Sequence, residues 1–238
     1  MQKPIRVILG IDIGWRTLSV AKIVITHEYS FKVVSVQKQD IGSDLSVQQI
    51  LCLIPKLTIF DNSNDVTNVI IEEQVPMAGA QLGNIRAYGM ACGIFMHFVK
   101  EKKDVVFFNN KYKFTEARRI GYILPETTNR SMTASQKRTI TKNNALWLTT
   151  QWLKHSSAQT LSDNRDIHVK LIVYFESKPK AEKYDEADAL SIALSYASSK
   201  DWICLDIPKE DGDYRQLKYT DFVYEHSGPV NWTNVAKK

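Results

Sequence analysis

Apolar and polar positions alternate in two rhythms along the chain. Ile5 to Ile13 is an almost unbroken apolar, β-branched run ending at Gly14, which predicts a buried strand. Leu18 to Ile25 and Phe31 to Val36 repeat the pattern, joined by the polar stretch Thr26 to Ser30. Three strands with short connections predict an antiparallel meander. Leu45 to Leu57 switches to helical spacing, with Ser43 or Asp44 placed to cap it. Asp61 to Asp65 is a turn cluster, and Val66 to Ile71 a fourth strand running into Glu72-Glu73. Gln81 to Lys100 reads as a helix whose small residues permit close packing, against a partner copy or within the core. Asp104 to Phe108 is a fifth strand. Residues 110–137 carry no clear period. Thr141 to Lys154 predicts a helix, Ile167 to Phe175 a strand, and Asp185 to Ser198 a strongly apolar helix. Strands followed by alternating helices and strands make an α/β domain with a mixed sheet. Its expected extent is residues 1–200, with a basic insertion at about 110–140 and a C-terminal extension over 201–238.

Composition narrows the class. The 238 residues are 44% hydrophobic and 24% charged, which excludes a disordered or fibrous chain. No stretch approaches the ~18 consecutive apolar residues of a spanning helix. The N-terminal residues lack the charged-then-apolar order of a secretory signal. Cys52, Cys92 and Cys204 are too few and scattered for a disulfide framework or a zinc knuckle. The expectation is an intracellular protein in a reducing compartment, neither secreted nor tied to a membrane.

Charge sharpens it further. The chain carries a net +5, yet Lys111 to Lys154 alone holds nine basic residues against Glu116 and Glu126. The rest is therefore mildly acidic. A basic block on an acidic body suits a polyanion. Lys111, Lys113, Arg118, Arg119, Lys137 and Arg138 are its candidate phosphate contacts, with Lys178, Lys180 and Lys183 just before Asp185. Tyr112, Phe114 and Tyr122 are candidate platforms for unpaired bases, or packing under a loop.

The candidate chemistry is acidic. Asp12 lies inside the first strand, Glu73 follows the fourth, and Asp185 and Asp188 open the late helix three residues apart, on one face. A carboxylate within an apolar strand is costly without a partner. Carboxylates gathered together repel unless a cation neutralises them, and Mg²⁺ or Mn²⁺ prefers such oxygens. Two such ions suit phosphodiester hydrolysis. Taken singly, Asp12 could shape a turn, the glutamates could end a strand in solvent, and Asp185 could cap a helix.

Together these residues resemble the RuvC-type Holliday junction resolvases of the RNase H-like superfamily. Ile8-Leu9-Gly10-Ile11-Asp12-Ile13-Gly14 is similar to the family's first motif, and Glu73-Gln74-Val75-Pro76-Met77-Ala78 to its second. Gln81 to Arg86 is similar to the helix that follows, and Asp185 to Ala193 to the last motif. The resemblance implies a five-stranded RNase H-like sheet and a homodimer that cuts opposed strands of a four-way DNA junction. It implies Mg²⁺ or Mn²⁺, two per site, on Asp12, Glu73, Asp185 and Asp188, with Glu72 as the adjacent alternative. It also implies a basic residue at the start of the penultimate helix, for which Lys142 is the nearest match. The basic connection, the Ile167–Phe175 run and the tail depart from the bacterial pattern. Resolvases of large DNA viruses and organelles vary the same scheme. The alternatives are another RNase H-like nuclease, acting on RNA–DNA hybrids or in transposition, and an ATP-binding protein of the actin and sugar-kinase type.

Overall fold

The structure is a computed structural model. It describes residues 6–14, 16–25, 30–74, 82–109, 111–125, 128–159, 162–177 and 179–205. The expected contacts of Lys178, the Val75–Ala78 part of the second motif and the extension beyond Leu205 lie outside the described residues.

Five strands form one mixed sheet. β1 (Arg6–Ile13), β2 (Thr17–Ile25) and β3 (Phe31–Asp40) make the expected antiparallel meander. β4 (Asn68–Glu72) and β5 (Asp104–Phe108) add in parallel on the other side of β1, giving the order β3-β2-β1-β4-β5. β1 is therefore central, which is why its apolar run has almost no polar interruption.

Alternate residues of β1 face two separate cores. Val7, Leu9, Ile11 and Ile13 pack with α1 (Val47–Leu53) and α2 (Leu82–Lys100). Ile8, with Ile70 of β4, packs under the helices of the second half. These are α3 (Lys111–Arg119), α4 (Ala134–Gln159), α5 (Ser162–Glu176) and α6 (Tyr184–Ser199). α6 is buried without a break from Ala187 to Ser198, so it runs through the core rather than over it.

Several expectations need correcting. Ile167 to Phe175 is helix, not strand: it forms most of α5, and its buried His168 and Phe175 stand seven residues apart on the side toward α4. The segment 110–137 is not irregular throughout, since it contains α3. α4 begins seven residues before Thr141, where Thr133 and Gln136 exchange backbone-to-side-chain bonds of 2.8 and 3.2 Å. Lys142 thus sits two turns inside α4 rather than at a helix start, and α5 is the penultimate helix. The first helix is capped by Ser46, in a capping box with Gln49, not by Ser43 or Asp44. Gly89 and Gly93 of α2 face Val47, Leu51 and Ile54. These two glycines serve packing within the chain.

Candidate active site

Gly10 explains how the site is assembled. It lies on the face of β1 that also carries Asp12, and α6 crosses directly over it. A Cβ at Gly10 would collide with the Ala189 carbonyl and stand 2.8 Å from the Ala193 Cβ. Only glycine below, with alanines at i and i+4 above, permits so close an approach. Asp185 and Asp188, at the start of α6, are thereby lowered onto the C-terminal end of β1.

The parallel register selects the second acid. Ile11 pairs with Ile71, so the next pair along is Asp12 and Glu72, on the face under α6. The two carboxyl groups share a hydrogen bond. Gln74 Nε2 donates to Glu72 Oε2 at 3.0 Å. Glu73 follows the end of β4, and by strand alternation its side chain leaves the other way. It is held there by Asn109, whose Nδ2 donates to Glu73 Oε2 at 2.9 Å. Asp12, Glu72, Asp185 and Asp188 are brought together; Glu73 is not.

Three lysines stand among these acids. Lys142 Nζ lies 2.7 Å from Asp185 Oδ1 and 3.8 Å from Asp188 Oδ2. Lys38 of β3 reaches Asp185 Oδ2 at 2.8 Å. Lys113 of α3 is fully buried and ion-paired with Asp188. Sequence reasoning missed Lys38 altogether; its only signal is a lysine inside a strand otherwise free of cations at that end.

The charges act on one another. Burial drives the Asp12 carboxyl well above its ordinary range, reinforced by the charge and hydrogen bond of Glu72 and by Asp188 and Asp185. Burial pushes Asp185 up as well, but its bonds to Lys142 and Lys38 outweigh that and hold it below the usual range. Burial alone would lower Lys142; the bond to Asp185 and the charges of Asp188, Asp185 and Asp12 raise it instead. Among the described residues, no three His, Cys, Asp or Glu side chains form a ready cage for an ion. The donors are nonetheless the hard oxygens that Mg²⁺ and Mn²⁺ take. Lysine ammoniums stand where a cation's charge is needed.

The expected DNA contacts divide into two groups. Lys111, Arg118 and Arg138 are exposed and Lys137 is half-buried. Two others are not surface groups at all. Lys113 is spent on Asp188. Lys183 is buried and donates to the Tyr174 carbonyl at 2.6 Å, the Ser177 carbonyl at 3.0 Å and the Ser177 hydroxyl. Arg119 is largely covered and forks onto Glu116, its Nε donating to Oε2 at 2.8 Å. Lys180 belongs to a short 3-10 turn ahead of α6. Tyr122 is buried edge-on against Trp147 and Phe114 packs on the core, so both serve packing first. Tyr112 is partly exposed beside Phe108.

A mixed sheet ordered 3-2-1-4-5, with an acid-bearing helix laid over the central strand, is an RNase H-like fold. Among solved structures, the yeast mitochondrial Holliday junction resolvase Ydc2 superposes with a TM-score of 0.53 at 12% identity, over 82% of this chain and 78% of that one. Thermus thermophilus RuvC gives 0.48 at 14% identity, over 82% and 97%. RuvC of T. thermophilus in complex with a Holliday junction substrate gives 0.46 at 11% identity, over 80% and 92%. No family model and no curated protein sequence matches the chain. Among the described residues, no helix is long and apolar enough to cross a membrane.

Proposed function

We propose that this protein is a structure-specific endonuclease that resolves four-way DNA junctions by metal-dependent phosphodiester hydrolysis. The observation that carries the reading is the convergence of Asp12, Glu72, Asp185 and Asp188, from three separate elements, at one end of an RNase H-like sheet. Burying repelling carboxylates costs stability, and such a cost persists at sites where function needs it. The resolvase fold of Ydc2 agrees with it.

These acids would hold Mg²⁺ or Mn²⁺, with Glu72 in the place the sequence motif gave to Glu73. Bound by these acids, a divalent ion would supply Lewis-acid chemistry for a phosphodiester hydrolysis. The chain supplies the rest. Lys142, poised over Asp185 and Asp188, neutralises charge on the scissile phosphate. Gln74 orients Glu72. Lys111, Arg118, Lys137 and Arg138 hold the phosphates of the junction arms, reading shape rather than base sequence.

A second copy supplies the second nick, and a two-fold dimer suits a substrate with approximate two-fold symmetry. Ile85, Tyr88, Met96 and Val99 form an exposed apolar stripe along α2, at helical spacing, and offer the face for that copy. The other RNase H-like nucleases share the acids and remain the second reading. The kinase-type alternative needs a second phosphate-binding lobe, and the described residues form one five-stranded sheet.

The test is cleavage of a labelled four-way junction beside an RNA–DNA hybrid. Asp12→Asn serves as the control, expected to keep junction binding and lose cleavage.

A further inference from the structure

α3 presents two faces at helical spacing. Lys113, Glu116 and Ala117 are buried, and the first two tie the helix to α6 through Asp188 and Ser198. Lys111, Phe114, Thr115 and Arg118, at i, i+3, i+4 and i+7, share the neighbouring face. That second face lines a cleft, which α4 completes with Ile140, Thr141 and Asn144. The cleft has a volume of about 660 Å³. Small-molecule sites run from about 300 to 1,000 Å³, so it can admit a ligand rather than a water or two.

Its chemistry is that of a nucleotide. No acidic side chain is among its described lining residues, while Lys111 and Arg118 stand exposed at its edge, suited to a phosphate. Phe114 and Ile140 are half-buried and give part of their surface to the cleft. Ile123, at the lip, is 86% exposed, an aliphatic side chain left in water. Flat apolar surfaces of this kind hold a base by its face, whatever its sequence. The hydroxyls of Thr141 and Thr115 donate to the Lys137 and Lys111 carbonyls at 2.9 and 3.4 Å. Their oxygens keep acceptor capacity toward the edge of a base.

Both walls of the cleft run into the candidate active site. Phe114 follows Lys113, which is ion-paired with Asp188, and Thr141 precedes Lys142, which lies 2.7 Å from Asp185 Oδ1. A base beside a crossover lacks continuous duplex on one side, so taking it out of the stack costs less than in a linear helix. We propose that this cleft takes one unpaired nucleotide of the junction, its base against Phe114, Ile140 and Ile123 and its phosphate on Lys111 and Arg118. The cleft thereby fixes which phosphodiester meets the acids. The proposal rests on the junction-cleaving reading above and deepens it.

The test watches the base without turnover. Four-way junctions carrying 2-aminopurine at successive positions around the crossover are saturated with the full chain in the presence of a chelator. Emission from one position in a strand should rise about threefold or more as that base leaves the stack. Thr115→Trp fills the cleft from an exposed position of α3 and should abolish the rise, and Ile123→Ser should cut it by about half or more. Arg138→Ala, outside the cleft, should leave it unchanged at saturation. Melting curves and junction affinity for each variant show that it folds and binds. No position that brightens, or a rise that survives in a folded Thr115→Trp or in Ile123→Ser, would overturn the proposal while leaving the nuclease reading intact. Free 2-aminopurine deoxynucleotide should bind more weakly than the junction; tighter binding would assign the cleft to a free nucleotide and overturn the proposal too. No binding of the junction by the unaltered protein would overturn both readings.

Discussion

Replacing Gly10 with alanine should damage stability and catalysis together, through one displacement. The added Cβ would meet the Ala189 carbonyl and the Ala193 Cβ, the latter at 2.8 Å where ordinary contact begins near 3.4 Å. Neither atom can rotate away, because one is backbone and the other the first carbon of a buried alanine. α6 must therefore move off β1 by about 1 Å, and overpacking of this kind costs about 1–3 kcal/mol. For a domain this size that lowers Tm by roughly 2–4 °C per kcal/mol. The same shift carries Asp185 and Asp188 away from Asp12, and about 1 Å of misplacement can cost ~100-fold in rate. Gly42 is the control. It has a positive φ of 74° and open space around it, so Gly42→Ala should cost about 1 kcal/mol through backbone strain alone. Thermal melts paired with single-turnover junction cleavage would separate the two. A Gly10→Ala protein that melts and cleaves like the unaltered one would refute the claim that close α6 packing sets the site.

Four further outcomes follow from the structure. Glu72→Gln should reduce cleavage by about 1,000-fold or more, the scale of a lost transition-state contact of ~4 kcal/mol, while Glu73→Gln changes it by less than about tenfold. Lys183→Met should destabilise by about 1–3 kcal/mol in urea melts, since the part-buried carbonyls of Tyr174 and Ser177 lose their donor. By contrast, Arg138→Ala should keep stability, weaken junction binding and flatten its salt dependence by about one unit of slope. His168 is fully buried beside Ser156 and burial lowers its pKa to about 4. A depressed histidine binds fewer protons folded than unfolded, so its contribution is complete above pH 6.5 and is lost as pH falls toward 4. The loss should approach about 1.4 kcal/mol per pH unit in that window, and His168→Gln should flatten it in urea melts at pH 7 and 5.

How far the sequence discloses this site depends on which physical term decided each element. The central strands were legible because burial on both faces leaves no room for polar residues. Asp12 stood out for the same reason. Glu72 and Glu73 differ by one residue, and only the β1–β4 register, a non-local pairing, turns Glu72 toward Asp12. α5 was misread because Val169, Leu171, Ile172 and Val173 are a strand-forming set by local preference. Packing of His168 against Ser156 of α4 and Phe31 of β3, and of Phe175 in the core, overrode it. The start of α4 was written in the sequence as Thr133-x-x-Gln136, a capping box inside a segment dismissed for its lack of period. Lys113 and Lys183 were assigned to the surface because lysines are rarely buried without a partner, and their partners lie 75 residues away in one case and six and nine residues back, around the end of α5, in the other.

Cleavage of a labelled, immobile four-way junction in Mg²⁺ or Mn²⁺ tests the central claim most directly, with a linear duplex, an RNA–DNA hybrid and the Asp12→Asn protein alongside. Paired, symmetric nicks in the junction that vanish in Asp12→Asn, with the linear duplex intact, are the predicted result. Cleavage of the hybrid with the junction untouched, or no metal-dependent cleavage of any of the three, would contradict it.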